Sequence, residues 1–454
     1  MTPGPTAPAS DAAHILLVNP WIHDFAAYDV WAKPMGLLTL GAILRLHGYR
    51  ISYIDCLDRF HPLAPHSDPF KRHGRGPYLK TKIPRPVGLE DIPRTWSRYG
   101  IKKKWLHNDL LSLPKPKLIV VTSLMTYWYP GVVETISALK NVFPAVPVIL
   151  GGIYATLCPE HAAAVSGADG VITGPGENRI LELAAEYTGQ SGPERFDPGN
   201  LDSYPYPAFD LQNRIGYIPL QTSRGCPFNC AYCASTYLNP LNHRRSPQAV
   251  VREIVHWHKR LGIRDFAFYD DALLVDAGHH AIPMLEKIIA TGLPLRFHTP
   301  NALHIRNISK QTADLMFRAG FTTLRLGLET TAFEERDRLD RKVTESEFHR
   351  AVDCLKQAGF SAGRIGAYLL AGLPGQKDAA IEASVRAVLA SGITPIPAYY
   401  TPIPHTSMWE SAKAASRYDL ESDPIFTNNA IFPCRKEGFS WSMITRLKEL
   451  VKST

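Results

Sequence analysis

"TSRGCPFNCAYCAST", residues 222–236, places three of the chain's seven cysteines, Cys226, Cys230 and Cys233, within eight residues, spaced CxxxCxxC with Tyr232 just before the last of them. Three thiolates hold three irons of a [4Fe-4S] cluster and leave the fourth iron open, whereas structural zinc takes four protein ligands. No fourth Cys or His stands at usable spacing nearby in the sequence, His243 being ten residues on. The bland reading, three buried cysteines on a turn, gives no reason for this spacing.

The cysteines directly follow a strand candidate, GYIPLQTS (216–223), which is the first of a series. DFAFYD (265–270), LRFHTP (295–300), TTLRLGLE (322–329), AGRIGAYLL (362–370) and TPIPAYY (394–400) come next, each followed by a helix-like segment except the last. Six such steps predict an α/β unit over 215–410, an open, partial (β/α)6 barrel related to the (β/α)8 barrel. In such folds chemistry sits on the loops leaving the C-terminal ends of the strands.

Residues 14–190 show a different alternation. HILLVNP (14–20), RISYID (50–55), KLIVVTS (117–123), VPVILGG (146–152) and ADGVITG (168–174) are short β-rich runs, and amphipathic segments such as PMGLLTLGAILRLHG (34–48) and PGVVETISALKNVFP (130–144) lie between most of them. The pattern predicts a doubly wound, Rossmann-like parallel sheet. A stretch from about 60 to 113, rich in Pro, Arg and Lys, interrupts it and reads as an insertion, because so long a loop is usually functional or a lid. Residues 191–214, with "DPGN" and "YPYP", read as a linker, since prolines hold the chain extended; residues 411–454 read as a helical tail.

The whole-chain figures agree with two globular domains. At 454 residues the chain exceeds one ordinary core, and its 45% hydrophobic and 20% charged residues are globular values. No stretch approaches the ~20 apolar residues of a membrane span. The opening MTPGPTAPASDAA reads as a short disordered tail and not a secretion signal. Seven cysteines, four of them scattered at 56, 158, 354 and 434, give no disulfide framework and fit a reducing cytoplasm. The net charge of +8 is mild, and its runs, Lys102–Lys104 and Arg244–Arg245, read as solvated faces, so nucleic acid is not the expected partner.

With its CxxxCx(aromatic)C loop after the first barrel strand, the sequence resembles the radical S-adenosylmethionine superfamily. The resemblance implies a [4Fe-4S] cluster on Cys226, Cys230 and Cys233. It also implies S-adenosylmethionine on the open iron, cleaved by an electron from a donor such as flavodoxin or ferredoxin to a 5'-deoxyadenosyl radical. It further implies S-adenosylmethionine contacts at Tyr232 and at successive strand ends: Asp270 and Asp271 in "FYDDALL", Asn301 in "TPNALH", Glu329 in "RLGLETT", and Gly372 and Gly375 in "AGLPGQ". After strand six, "YYTPIPHTSMWESA" is close to the family's Pro-x-Pro-Gly-Thr but carries His405 where similar chains commonly have Gly. His405 is thus a candidate catalytic residue for proton transfer, against the ordinary reading of a solvated loop histidine.

Placed before such a barrel, the wound half resembles the cobalamin-binding domain of the B12-dependent branch, carried by "GLLTLGAILRLHGY" (36–49), "GGIYATLCPEH" (151–161) and "ITGPGE" (172–177). Ligands of open sheets lie beyond the strand C-termini, where Gly151, Gly152, Gly174 and Gly176 stand. Tyr127 and Trp128 of "SLMTYWYPG" would cover a corrin face, or pack as interface aromatics. The sequence departs from other B12 domains in lacking Asp-x-His-x-x-Gly, which supplies a lower-axial histidine; His23, after strand one, could bind cobalt, though a loop histidine more often does not. The resemblance therefore implies an enzyme that methylates an unactivated carbon of a small-molecule or peptide substrate. The alternatives are cobalamin-associated radical cyclisation, rearrangement or oxidation; an RNA methylthiotransferase, which would need a second three-cysteine cluster where only Cys56 and Cys158 stand; and a non-enzymatic iron–sulfur sensor.

Overall fold

The five hydrophobic runs of the first half form one parallel sheet in the computed structural model, which describes residues 12–191, 195–437 and 440–452. The tail expected at the start of the chain falls mostly outside the described residues. The strands are His14–Asn19, Arg50–Asp55, Leu118–Val121, Val148–Leu150 and Gly170–Val171. They lie in the spatial order 2-1-3-4-5, all pairs parallel. Successive side chains of a strand point to opposite faces, and the two cores divide accordingly. Leu16, Val18, Ile119 and Val121 face one layer with Val132, Ile136 and Leu139 of the helix Tyr129–Val142. Ile15, Leu17, Leu118 and Val120 face the other with Ile43 and Leu44 of the helix Met35–Leu46. The strand order reverses between the first and third strands, so the crevice of this sheet opens beyond Asn19 and Val121.

The stretch from 60 to 113 holds more regular structure than a loop. Ser97–Tyr99 pairs antiparallel with both Ile22–Asp24 and Lys80–Lys82. The helix Lys103–Ser112 inserts Leu106 and Leu110 into the first core layer. Strands of two or three residues between prolines are too short to show a period, which hides them from pattern reading. The proline-rich stretch after 190 also packs: Phe196, Leu201 and Tyr204 join the second core layer. Its aromatic and aliphatic side chains bury around two short 3-10 turns, Leu201–Ser203 and Phe209–Leu211.

In the second half the strands Ile218–Leu220, Asp265–Phe268, Arg296–His298, Phe321–Glu329, Ile365–Ala371 and Thr394–Tyr399 pair in sequence order, all parallel. Among the described residues the first and sixth do not pair, so the barrel is partial. Phe266, Phe268, Phe297 and Phe321 stack in its interior at centroid separations of 5.4–5.9 Å. At the N-terminal ends of strands two and three, fully buried Asp265 accepts from Arg296 Nε at 2.7 Å and lies 3.0 Å from His298 Nε2. Burial alone would raise the Asp265 carboxyl, but these two partners hold it below the usual carboxylate range. The far end of the barrel is therefore locked by charge as well as by apolar packing.

Two helices follow the last strand, Trp409–Ala415 and, later, Trp441–Lys452. Trp441–Lys452 buries Met443, Ile444 and Leu447, packs on the helix Asp378–Ala390, and pairs Arg446 with Glu382. The chain makes two compact units: one runs to Gly216 and takes in Glu421–Ile425, the other comprises Tyr217–Leu420 and the residues from Phe426 on. Within the first, the Tyr129 hydroxyl donates to Asp423 Oδ2 at 2.8 Å. No described helix is long and apolar enough to cross a membrane.

Candidate functional site

The cysteine loop is closed at its base by a two-residue ladder, Ser223–Arg224 against His243–Arg244. Gly225 turns the chain there at φ +84°, and a Cβ on it would stand 2.4 Å from the Leu241 carbonyl oxygen, so only glycine fits. The middle of the loop is fixed from two other barrel loops through one residue. The Ala231 N–H donates to the Leu339 carbonyl at 2.8 Å, and the Ala231 carbonyl accepts from the Met408 N–H at 2.9 Å. Cys226 and Cys233 are partly buried, Cys230 is buried, and all three are free thiols. Burial raises the Cys226 thiol and pushes Cys230 up to about 11, with Lys342 pulling each partly back. Three unpaired sulfurs on one doubly anchored loop fit a [4Fe-4S] cluster, whose iron would take them as thiolates.

Around this loop the strand ends bring side chains of unequal freedom. Asp270 is 3% exposed and enclosed by donors: Thr222 N–H at 3.0 Å, Thr222 Oγ1 at 2.6 Å and Ser223 Oγ at 2.8 Å. Burial raises its carboxyl to about 6, against these hydrogen bonds, which lower it. Such a carboxylate anchors the end of strand one and has little left for a ligand. Asp271 is only partly buried, and burial raises it while Ser235 draws it back. The two neighbours therefore predict opposite phenotypes. Asp270→Ala is expected to lower the unfolding free energy by about 1–3 kcal/mol, because Thr222 and Ser223 lose their acceptor. Asp271→Ala is expected to leave the melting temperature in place and to weaken S-adenosylmethionine binding by about 1.5–3 kcal/mol. Calorimetric titration beside a thermal melt separates the two, and a binding loss confined to Asp270→Ala would reverse the assignment.

Glu329 ends strand four beyond a register shift, in the left-handed region at φ +62° and 7% exposed. Backbone of this kind persists only where its surroundings over-determine it. Arg336, 3% exposed, supplies that determination: Nη1 donates to the carbonyls of Leu328 at 2.6 Å and Thr330 at 2.9 Å, on either side of Glu329. The same guanidinium grips Asp340 in bidentate fashion at 3.1 and 2.8 Å. Lys342 then reaches Glu329 Oε1 at 3.4 Å and lies 5.4 Å from the centre of the Tyr232 ring. The Tyr232 hydroxyl is buried with no hydrogen-bond partner among the described residues, and its ionisation is pushed well up by burial and then by Glu329. Nothing local in the sequence marks Arg336, Asp340 and Lys342 as part of this site.

The remaining loops complete the rim. The Asn301 side chain donates to the Tyr269 carbonyl at 2.7 Å, so it bridges the ends of strands two and three. Gly372, at φ +92°, faces Phe432, and its N–H donates to Gln376 Oε1 at 2.8 Å; Gly375, at φ +72°, has open space where a Cβ would be. His405 adopts φ +66°, a backbone suited to glycine, with its ring stacked on Tyr237 at 4.1 Å and 1°. Ring stacking offsets the backbone cost at this position.

In the first unit, Gly152 at φ +97° is dictated by packing, since a Cβ would stand 2.3 Å from the Ser123 carbonyl oxygen. Gly174, at φ +73°, has nothing within 4 Å of that position, and Gly151 only the Ile172 carbonyl at 3.7 Å; Gly176 lies against Leu40. These open glycines at the carboxyl edge suit a ligand that approaches backbone. Tyr127 is buried, and Trp128 is tied by its Nε1, which donates to Asp24 Oδ2 at 2.7 Å. His23 lies 2.7 Å from Glu134 Oε2, and Arg98 also binds that carboxylate.

Comparison with known proteins gives concordant matches. Residues 220–388 match the Radical SAM superfamily and residues 110–184 the B12 binding domain. An uncharacterized methyltransferase of Pyrococcus horikoshii is 25% identical over 347 residues, 69% of this chain and 74% of the relative. The cytidylyl-2-hydroxyethylphosphonate methyltransferase of Streptomyces wedmorensis is 22% identical over 423 residues, 79% and 73% of the two chains. Among solved structures, the radical S-adenosylmethionine methyltransferase TsrM of Kitasatospora setae, with cobalamin and a [4Fe-4S] cluster bound, superposes with a TM-score of 0.65 at 18% identity. The match covers 90% of this chain and 79% of that one.

Proposed function

The chain belongs to the radical S-adenosylmethionine enzymes that carry a B12-binding domain, and from that premise we propose that it methylates a carbon beyond the reach of ordinary nucleophilic methylation. The observation that carries this reading is the free three-thiol loop, anchored at the C-terminal end of a partial barrel, in one chain with a B12-binding sheet. When bound, these groups supply the electron that cleaves S-adenosylmethionine to a 5'-deoxyadenosyl radical and the methyl group that is transferred.

The chain's own residues bind and orient. Cys226, Cys230 and Cys233 hold three irons. Asp271 accepts from the methionine ammonium, Glu329 accepts from the ribose, and Gly375 lets backbone approach the adenosyl moiety. Gly151 and Gly174 leave room at the carboxyl edge of the wound sheet for the corrin. The substrate is a small molecule or peptide and the reductant a flavodoxin or ferredoxin. Such a donor, the absence of disulfides among the described cysteines and the thiol cluster all support a cytoplasmic setting.

The test uses methyl-deuterated S-adenosylmethionine and candidate substrates in an anaerobic assay. A deuterated methyl in the product, with S-adenosylhomocysteine and 5'-deoxyadenosine formed in about equal amounts, is the expected result. Substrate-dependent 5'-deoxyadenosine with no label in the product would replace methylation by radical cyclisation, rearrangement or oxidation.

A further inference from the structure

One histidine in the barrel touches the cysteine loop and has no part in the roles above. His304 follows strand three in "NALH", is 8% exposed, and stacks on Phe228, which lies within the cysteine loop, at 4.5 Å and 28°. Its Nε2 stands 3.3 Å from the Asp271 carbonyl oxygen and 3.9 Å from Cys226 Sγ. A carbonyl oxygen only accepts, so Nε2 carries the proton and the tautomer is set. That one N–H faces the oxygen and the sulfur together. The opposite nitrogen, Nδ1, is buried without a hydrogen-bond partner among the described residues. A buried acceptor left unsatisfied calls for an explanation, and here it is the consequence of turning the donor side of the ring toward Cys226.

We propose that His304 donates its Nε2 proton to the Cys226 sulfur and thereby raises the reduction potential of the cluster held by the three cysteines. The proposal rests on the cluster reading above. A hydrogen bond to a cluster sulfur stabilises the more negative, reduced state over the oxidised one. His304 thus acts through Cys226 and is a positioning residue, with no contact to the reacting atoms required. Its stacking on Phe228 holds the ring in the orientation that aims Nε2 at the loop.

The experiment is a redox titration of the reconstituted full-length chain, with the reduced cluster read by electron paramagnetic resonance. His304→Leu is expected to keep its iron and to shift the midpoint to a more negative potential, and His304→Gln, which retains an N–H donor, to return part of the shift. An unchanged midpoint in iron-replete His304→Leu overturns the proposal. Should the leucine variant fail to hold iron, the wild-type protein decides by itself. With 15N-histidine labelling, pulsed resonance of the reduced cluster should show a weak nitrogen coupling. No coupling, or the several-fold larger coupling of a nitrogen bound directly to iron, overturns it. Wild-type protein without iron would instead remove the cluster reading, a result distinct from either.

Discussion

Cys230→Ala protein, reconstituted anaerobically beside the wild type, is expected to lose its cluster and to release no 5'-deoxyadenosine above a protein-free control. The wild type is expected to hold about four irons per chain. Cys230 is the informative position of the three because it is the most buried, 6% exposed, and adjoins Ala231, whose N–H and carbonyl both anchor the loop. Exchanging a buried sulfur for hydrogen removes little packing, so apo stability should fall by only about 1 kcal/mol. Iron content and S-adenosylmethionine cleavage then report on ligation and not on unfolding. Full iron and undiminished cleavage in this variant would sink the assignment of the loop.

The second large effect lies away from the cysteines. Arg336→Met should destabilise the barrel unit by about 3–5 kcal/mol, because it strands Asp340 as a buried charge and frees the carbonyls of Leu328 and Thr330. S-adenosylmethionine affinity should fall with it, since the guanidinium keeps Glu329 in its left-handed backbone. Adding Asp340→Leu should recover much of the stability, as replacement of a buried pair by apolar side chains often does, without restoring affinity. Denaturant unfolding of the single and double variants measures the first part and calorimetric titration the second. A loss below about 1 kcal/mol for Arg336→Met would mean that this buried pair contributes no more than a surface ion pair does.

How much of this is visible in the residues depends on the range of the signal. The cysteine spacing, the continuous apolar runs in HILLVNP and KLIVVTS, and the series of six strands in the second half are local signals, and all of them are present in the fold. Asp270 and Asp271 are identical and adjacent in sequence; only the turn that folds Thr222 and Ser223 over one of them separates an anchor from a group with room for a ligand. Arg336, Asp340 and Lys342 sit in an ordinary-looking charged stretch, and their meaning depends on carbonyls at the end of a different element. His304 is a lone histidine in the sequence. Its nearness to Cys226 arises from packing between residues 78 positions apart, which no spacing rule reaches. The glycines of the wound sheet divide likewise: at Gly152 the neighbouring backbone excludes any side chain, whereas at Gly174 a Cβ would meet nothing.

The assignment of Glu421–Ile425 to the first unit has a bearing on how the protein is made. During synthesis the strands of the wound sheet emerge from the ribosome first, yet Asp423, which accepts from the Tyr129 hydroxyl, follows almost three hundred residues later. The nascent first unit thus folds with that tyrosine awaiting its acceptor, and the whole barrel sheet is translated before the last piece of the earlier unit exists. The helix Trp441–Lys452, which packs on the barrel helix Asp378–Ala390, is made later still. Neither unit corresponds to a continuous stretch of message: a gene cut at residue 216 would deliver the first without Glu421–Ile425, and a cut at 420 would deliver both incomplete.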